Sequence, residues 1–338
     1  MMASIEHARE LVKQHGQNHI SYLTLENDKE LYFGKHVPGV VAYGRVGKTI
    51  LVCGDPIAAP ADFVALLTEF QTFCERHADQ CAFLGTSDVF LAHYTALGYR
   101  HVKFGEEARF HLADYQLSGG KMAKMRAQVN HANKAGLTTC EYKPLTGRDA
   151  SIEEGLHKVS AQWLEGKKSG ELGFTLGSVS LENPMDRRYF YAVDPIGDIV
   201  AFHVFTPFAG MNGYVADVTR RTSNAPGGVT EKINFDAFMT FKSEGMEWGS
   251  LGISPLANVL EADAKNSMDA KFLHLLYEKG NRFYGFKSLH LAKERTAPTV
   301  WVPGYLVYST RHITPSLAYA MVKIQNPGGM RDFLHGHG

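Results

Sequence analysis

Gly213-Tyr-Val-Ala-Asp-Val-Thr-Arg-Arg-Thr-Ser-Asn-Ala-Pro-Gly-Gly-Val-Thr-Glu-Lys-Ile-Asn-Phe-Asp-Ala-Phe-Met-Thr-Phe241 reads as a strand, a polar turn and a helix. Tyr214–Val218 is short and apolar apart from Asp217. Ser223–Gly228 supplies Asn, Pro and two glycines, the residues that turn a chain. From Val229 the apolar residues Ile233, Phe235, Ala237, Phe238 and Phe241 return at roughly helical spacing. Such a turn sets free backbone N–H groups and the positive end of a helix beside the end of a strand. That is a natural place for a phosphate or a developing oxyanion. Gly227 and Gly228 would offer the N–H groups, with Asp217 and Arg220 at the rim. An ordinary surface ion pair fits the same residues. Side chains alternate along a strand, so Asp217 and Arg220 share a side only if the chain bends or bulges between them. Thr219 is the expected place of that bend.

Outward from this stretch, the same rhythm recurs. Towards the N-terminus the pattern predicts a helix over Ser4–Gly16 and strands at Ser21–Leu25, Leu31–Phe33, Gly39–Arg45 and Lys48–Cys53. A helix over Ala61–His77, a strand at Cys81–Gly85, a helix over Asp88–Leu97 and a strand at His101–Leu112 follow. Met122–Ala135 is a separate basic helix, stopped by Gly136. Leu137–Tyr142 is a strand, Ser151–Glu165 a helix with Trp163, and Gly170–Gly177 a loop. Strands at Tyr189–Val193 and Ile199–Phe205 lead into the opening stretch. After it come a strand at Gly249–Ile253, a long helix over Ala257–Glu278 and a short one near Leu289–Lys293. A strand at Val300–Tyr308 and a helix over Pro315–Ile324 close the order. Meanders leading into helix–strand units, twice over, predict an α/β fold with mixed sheets. The expectation is two tandem domains of the N-acetyltransferase (GNAT) type. Residues 1–145 form the first, including the basic helix 121–135, and residues 146–338 form the second, carrying the main active site.

Composition narrows the function. The 338 residues hold 35 Lys+Arg against 35 Asp+Glu, so net charge predicts no nucleic-acid partner and any basic surface is local. Lys121, Lys124, Arg126, Asn130, His131 and Lys134 make the basic helix the one local excess, either a solvated linker or a phosphate-tracking surface. The four cysteines show neither a C-x-x-C pair nor zinc spacing and read as buried thiols of a cytosolic protein, and no metal site is expected. His335-Gly-His-Gly338 reads as a loose tail. No apolar run reaches the length of a membrane span, and residues 1–7 are not a signal peptide. Without a G-x-S-x-G elbow, an H-E-x-x-H helix, a Walker A loop or a G-x-G-x-x-G fingerprint, nucleotide hydrolysis and dinucleotide binding are unsupported.

Lys103-Phe-Gly-Glu-Glu-Ala108 lies inside a predicted strand that Gly105 interrupts. One of its two glutamates points inward. Phe283, Tyr284, Phe286 and Trp301 read as core, and Lys293 stands among several basic neighbours.

Taken together in chain order, these stretches resemble the C-terminal catalytic domain of bacterial phosphatidylglycerol lysyltransferases and alanyltransferases, the multiple peptide resistance factor family. Gly54-Asp-Pro56, Lys103–Ala108, the basic helix, Trp163 and Gly173-Phe-Thr-Leu-Gly177 carry the likeness. Asp217-Val-Thr-Arg220, Leu251–Leu256, Tyr284-Gly-Phe286, Lys293, Pro298 and Trp301 continue it. Thr219 and Asn281 depart from the family pattern. The resemblance implies tandem GNAT-like folds with no cofactor. It implies transfer of an amino acid, lysine or alanine, from aminoacyl-tRNA to the glycerol hydroxyl of phosphatidylglycerol. Its partners would be aminoacyl-tRNA and an anionic phospholipid, met at the inner face of the cell membrane by a peripheral, cytoplasmic protein. No counterpart of the family's membrane-spanning half is expected within this chain. Asp217, Arg220, Lys293 and Glu106 would be catalytic. Lys103, Lys121, Lys124, Arg126, Gly227 and Gly228 would bind substrate. Asp217 would hold the donor's α-ammonium or accept the hydroxyl proton, and Arg220 and Lys293 would hold phosphates. The other readings are an acyl-CoA-dependent N-acyltransferase using Asn224–Gly228 for pyrophosphate, and a non-catalytic tRNA- or lipid-binding module.

Overall fold

Two helices each carry the chain from one strand to a parallel neighbour. Early on, β3 (Thr49–Cys53) leads through α2 (Phe63–His77) to β5 (Gln80–Thr86). Later, β10 (Gly213–Arg221) leads through α6 (Val229–Ser243) to β11 (Trp248–Pro255). Antiparallel meanders feed both pairs. β1 (Glu30–Phe33) and β2 (Gly39–Val46) run into β3, with the short β4 (Ile57–Ala58) on β2. β7 (Thr138–Tyr142), β8 (Arg188–Val193) and β9 (Ile199–Phe208) run into β10. The computed structural model describes residues 2–166, 172–260, 267–275 and 286–326. Asn281, the Tyr284-Gly285 pair and the His335–Gly338 tail lie outside the described residues.

The two halves meet through β6 (Arg100–His111) and β12 (Val300–Tyr308), which are antiparallel neighbours. The order is β1-β2-β3-β5-β12-β6-β11-β10-β9-β8-β7, one sheet of twelve strands once β4 is included. This corrects the expected architecture. The protein is a mixed α/β fold with one large mixed sheet, not clearly two tandem N-acetyltransferase domains. β12, from near the end of the chain, lies between β5 and β6, and its hydrogen bonds join the halves.

Both sides of the sheet are covered. Around β10, α6 buries Val229, Ile233, Ala237, Phe238 and Phe241, while Phe235, read from the sequence with them, is only half-buried. Full burial of such a side chain is worth about 1.5–3 kcal/mol. α4 (Ala123–Lys134) packs into the same core through Met125, Val129 and Ala132. On the opposite side, α5 (Ala150–Glu165) places Leu156 and Val159 against Val218 and Phe202. Asp149 caps α5, accepting from the N–H groups of Ser151 and Ile152. α1 (Met2–His15) packs on the turn at Ser21–Leu25 and on β2 and β4, α3 (Leu91–Ala96) precedes β6, and α9 (Pro315–Gln325) packs on β2 and β3.

Two elements differ from the sequence reading. Ser21–Leu25 is a 3-10 helix and not a strand. Side chains capture its backbone: Asn18 Oδ1 accepts from Ile20 N, and Ser21 Oγ accepts from Asn18 N. All five residues are buried, so no alternation marks an exposed face. The helix expected from Ala257 instead appears as α7 over 268–275. Leu256 and Asn258 have left-handed φ angles of 61° and 51°, which a continuing helix does not allow.

Candidate active site

β10 carries an extra residue at Asp217. Its register against β9 steps from Ala216↔Phe205 to Val218↔Val204, leaving Asp217 as the bulge. Asp217 and Arg220 consequently reach the same side, the one occupied by α5 and the segment after it. The bend sits at Asp217 itself, two residues before the expected Thr219. Asp217 Oδ1 accepts from Gly177 N at 2.9 Å. Arg220 is buried, donates to Ser160 Oγ and lies 5.3 Å from the Trp163 ring centroid.

Three carboxylates grip the segment that faces Asp217. Asp28 accepts from Phe174 N at 2.8 Å, Asp217 from Gly177 N, and Glu26 from Ser178 N at 3.1 Å and Ser178 Oγ at 2.8 Å. Arg187 donates to Glu26 at 2.6 Å and balances part of this charge. A Cβ at Gly177 would collide with Asp217 Oδ2, so the close approach requires glycine. Asp217 is half-buried as a residue, but its Oδ2 is closed to solvent and has no hydrogen-bond partner among the described residues. Burial pushes the Asp217 carboxyl up to about 6. Glu26 adds to the rise, while the Gly177 N–H, Arg187 and Lys29 oppose it.

The parallel pairing of β10 with β11 stops at Val215↔Ser250, and beyond it the strands part. There β11 is itself irregular against β6, between Ser250 and Ile253, with Gly252 at φ +70°. α8 (Phe286–Arg295) places Lys293 at this irregularity, where Nζ donates to the carbonyls of Gly252 at 3.0 Å and Ile253 at 2.7 Å. Burial lowers the Lys293 ammonium to about 7, against the pull of Glu107.

β6 divides its two glutamates between the sides of the sheet. Its register against β12 steps from Gly105↔Gly304 to Lys103↔Tyr305, a bulge at Phe104 that brings Lys103 onto the side of Glu106. Lys103 Nζ donates to Glu106 at 2.8 Å, and Asn258 Nδ2 donates to its other oxygen at 2.8 Å. Glu107 turns the other way and is 3% exposed. It accepts from Ser250 Oγ and from Arg109 Nη2, both at 2.7 Å, and stands 3.4 Å from His19 Nδ1. Burial alone would raise the Glu107 carboxyl, yet His19, Arg109 and Ser250 hold it below the usual carboxylate range.

The structure therefore groups the sequence-derived residues in three sets. Asp217 and Arg220 share one side of β10. Lys293 stands by the β11 irregularity, within electrostatic reach of Glu107 and His19. Glu106 pairs with Lys103. The basic helix spends two of its cations on backbone: Lys121 Nζ donates to Pro298 O at 3.0 Å, and Arg126 Nη1 to Leu117 O at 3.0 Å and Gly119 O at 3.1 Å. Lys124 is exposed. Gly227 and Gly228 lie against α4: a Cβ on Gly228 would collide with the Gln128 carbonyl, and one on Gly227 would touch His131. Sequence reasoning missed His19, Arg109, Ser250 and the inward role of Glu107. The Glu106-Glu107 doublet held the signal for the last, and Gly105 marked the neighbouring bulge, but the register that assigns each glutamate its side is set by the partner strands.

Known proteins resemble this chain in sequence and in fold. The family described as phosphatidylglycerol lysyltransferase, C-terminal, matches residues 9–308. The phosphatidylglycerol lysyltransferase of Bacillus subtilis is 29% identical over 307 residues, 90% of this chain and 35% of that protein. That of Staphylococcus haemolyticus is 24% identical over 323 residues, 96% of this chain and 37% of that protein. The chain thus spans about a third of the length of these curated relatives. The solved structure of L-PGS from Bacillus licheniformis superposes with a TM-score of 0.80 at 26% identity, covering 95% of this chain and 96% of that one. The chain belongs to the phosphatidylglycerol lysyltransferase family and corresponds to its C-terminal catalytic domain.

Proposed function

We propose that this chain transfers lysine or alanine from aminoacyl-tRNA to the glycerol hydroxyl of phosphatidylglycerol, acting as a peripheral protein at the inner face of the cell membrane. Among the described residues no helix is long and apolar enough to cross a membrane. The observation that carries the reading is the parting of β10 and β11 after Val215↔Ser250, with the unpartnered Oδ2 of Asp217 on the one strand and Lys293 on the Gly252 and Ile253 carbonyls of the other; Asp217 is raised to about 6 and Lys293 lowered to about 7. Acyl transfer from an ester needs proton exchange near pH 7 and a counter-charge for the tetrahedral oxyanion, and no ATP.

In this reading the unpartnered Oδ2 of Asp217 holds the donor's α-ammonium. Lys293, fixed by two carbonyls, presents its remaining valence to the oxyanion as an ammonium. Arg220 anchors β10 to α5 and lends positive charge to a substrate phosphate. Lys124 and the rest of the basic helix meet the tRNA or lipid headgroups. The test is incubation of the chain with labelled lysyl- or alanyl-tRNA and vesicles containing phosphatidylglycerol, followed by lipid extraction. Label in an aminoacylated lipid that depends on phosphatidylglycerol is expected. Transfer of neither amino acid refutes the reading.

A further inference from the structure

One buried cluster is left unused by that mechanism. His19 is 7% exposed and follows a fixed turn. Asp55 holds the turn from below, since Asn18 Nδ2 donates to Asp55 Oδ2 at 2.9 Å and to Gly85 O at 2.7 Å. Asp55 is itself held by Ser87 N at 3.0 Å and Tyr94 OH at 3.2 Å. The imidazole is thereby set with Nδ1 3.4 Å from Glu107 Oε2. An ionised carboxylate only accepts, so the proton of a neutral ring belongs on Nδ1. Nε2 is then a bare lone pair, and it is buried with no hydrogen-bond partner among the described residues. Such an acceptor is costly to bury and calls for a donor.

We propose that His19 is a catalytic base, oriented by Glu107, whose Nε2 takes the proton of the acceptor hydroxyl. The assignment rests on the aminoacyl-transfer reading. The hydroxyl oxygen bonds to the aminoacyl carbonyl carbon as its proton passes to Nε2. The tetrahedral species then collapses, the ester bond to the tRNA ribose oxygen breaks, and that oxygen takes the proton back from Nε2. Nothing else is consumed. Glu107 stabilises the transient imidazolium, the same division of labour as in a nucleophile–His–carboxylate triad. The 3.4 Å separation is long for a hydrogen bond, and such contacts tighten when substrate is seated. The substrate hydroxyl reaches Nε2 only once the groups around it move apart, and it then supplies the donor that Nε2 lacks among the described residues.

Burial, more than the neighbouring charges, keeps the ring neutral until it is needed. Burial lowers its proton affinity most, Glu107 opposes this, and Arg109 and Lys293 add to the lowering. Among the groups facing it, Glu107 and Arg109 come from β6 and Lys293 from α8. The free base therefore persists to pH values below the ordinary histidine range.

The test compares the whole chain with His19→Gln and Glu107→Gln in the transfer assay between pH 5 and 8.5, alongside binding to the same vesicles and tRNA. His19→Gln is expected to lose about 10²-fold or more in kcat with binding unchanged, and the acid limb that remains is that of Asp217 alone, near 6. Glu107→Gln is expected to lose less in kcat and to move the His19 limb while that of Asp217 stays in place. A His19→Gln enzyme with wild-type kcat overturns the proposal while leaving the transfer reading intact. A wild-type chain without any transfer refutes the reading, and the proposal with it. If the variants do not fold, nitrogen NMR of the wild-type imidazole decides: a neutral ring protonated on Nδ1 at pH 7 is expected. A ring protonated on Nε2, or on both nitrogens, overturns it.

Discussion

Asp217 was legible in the sequence as a lone acid in an apolar strand. Its environment was not. Among the described residues its Oδ2 lacks the hydrogen-bond donor a buried carboxylate needs, and this produces a stability prediction with a definite sign. The ordinary carboxyl value is 3.8 and the folded value about 6, so between these the folded chain binds more protons than the unfolded one. Stability contributed by this group is therefore lost as pH rises through that window, and the penalty is complete above about 6. Asp217→Asn carries no charge at any of these pH values and can still accept from Gly177 N. It is expected to melt above the wild type at pH 7.5, with the difference shrinking towards pH 4, while transfer falls steeply. Thermal unfolding at the two pH values checks this, and a gap independent of pH removes the argument. Glu107 and His19 lay beyond the residue reading for a different reason. Which of Glu106 and Glu107 faces the cluster depends on the register of β6 between β12 and β11, and register is a property of strand pairing, not of one residue.

At the scale of elements, periodicity located most helices and strands within a few residues, because most present one apolar face. It failed where local hydrogen bonds or left-handed residues decide, as at Ser21–Leu25 and Leu256–Asn258. The basic helix shows what composition leaves open. Its cations read as one surface, yet Lys121 and Arg126 serve as clasps: Lys121 ties the chain before α4 to the approach to β12, and Arg126 closes the loop leading into α4. These roles separate experimentally. Lys121→Ala should cost on the order of 1 kcal/mol of stability through the lost hydrogen bond to Pro298 O. Lys124→Ala should leave the melting temperature unchanged and weaken binding to tRNA or anionic vesicles, with a shallower dependence on salt. If both substitutions weaken binding equally and neither touches stability, α4 is a uniform charged surface and the clasp has no energetic weight.

The whole molecule depends on pairings that no local pattern encodes. The repeated order of elements was real, and each half holds a meander, a crossover helix and a parallel strand pair. What the order concealed is where the last strands go. β6 leaves β5 and pairs with β11, and β12 fills the gap between β5 and β6. Val307↔Phe83 and Trp301↔Ala108 join residues about two hundred positions apart, so the sheet closes only after the loop entropy of well over half the chain has been met. A fragment of residues 1–145 would keep β5 and β6 but lose the strand between them and the partner beyond. Both would expose unpaired edges, and Leu306, Val307 and Tyr308 would be missing from the cores they fill. Such a fragment is expected to show no cooperative thermal transition alone and to gain one on mixing with residues 146–338. Circular dichroism melts of each fragment and of the mixture measure this directly. A sharp transition from 1–145 alone, near that of the intact chain, would mean that the halves are autonomous and that β12 is a later embellishment of a sheet already complete.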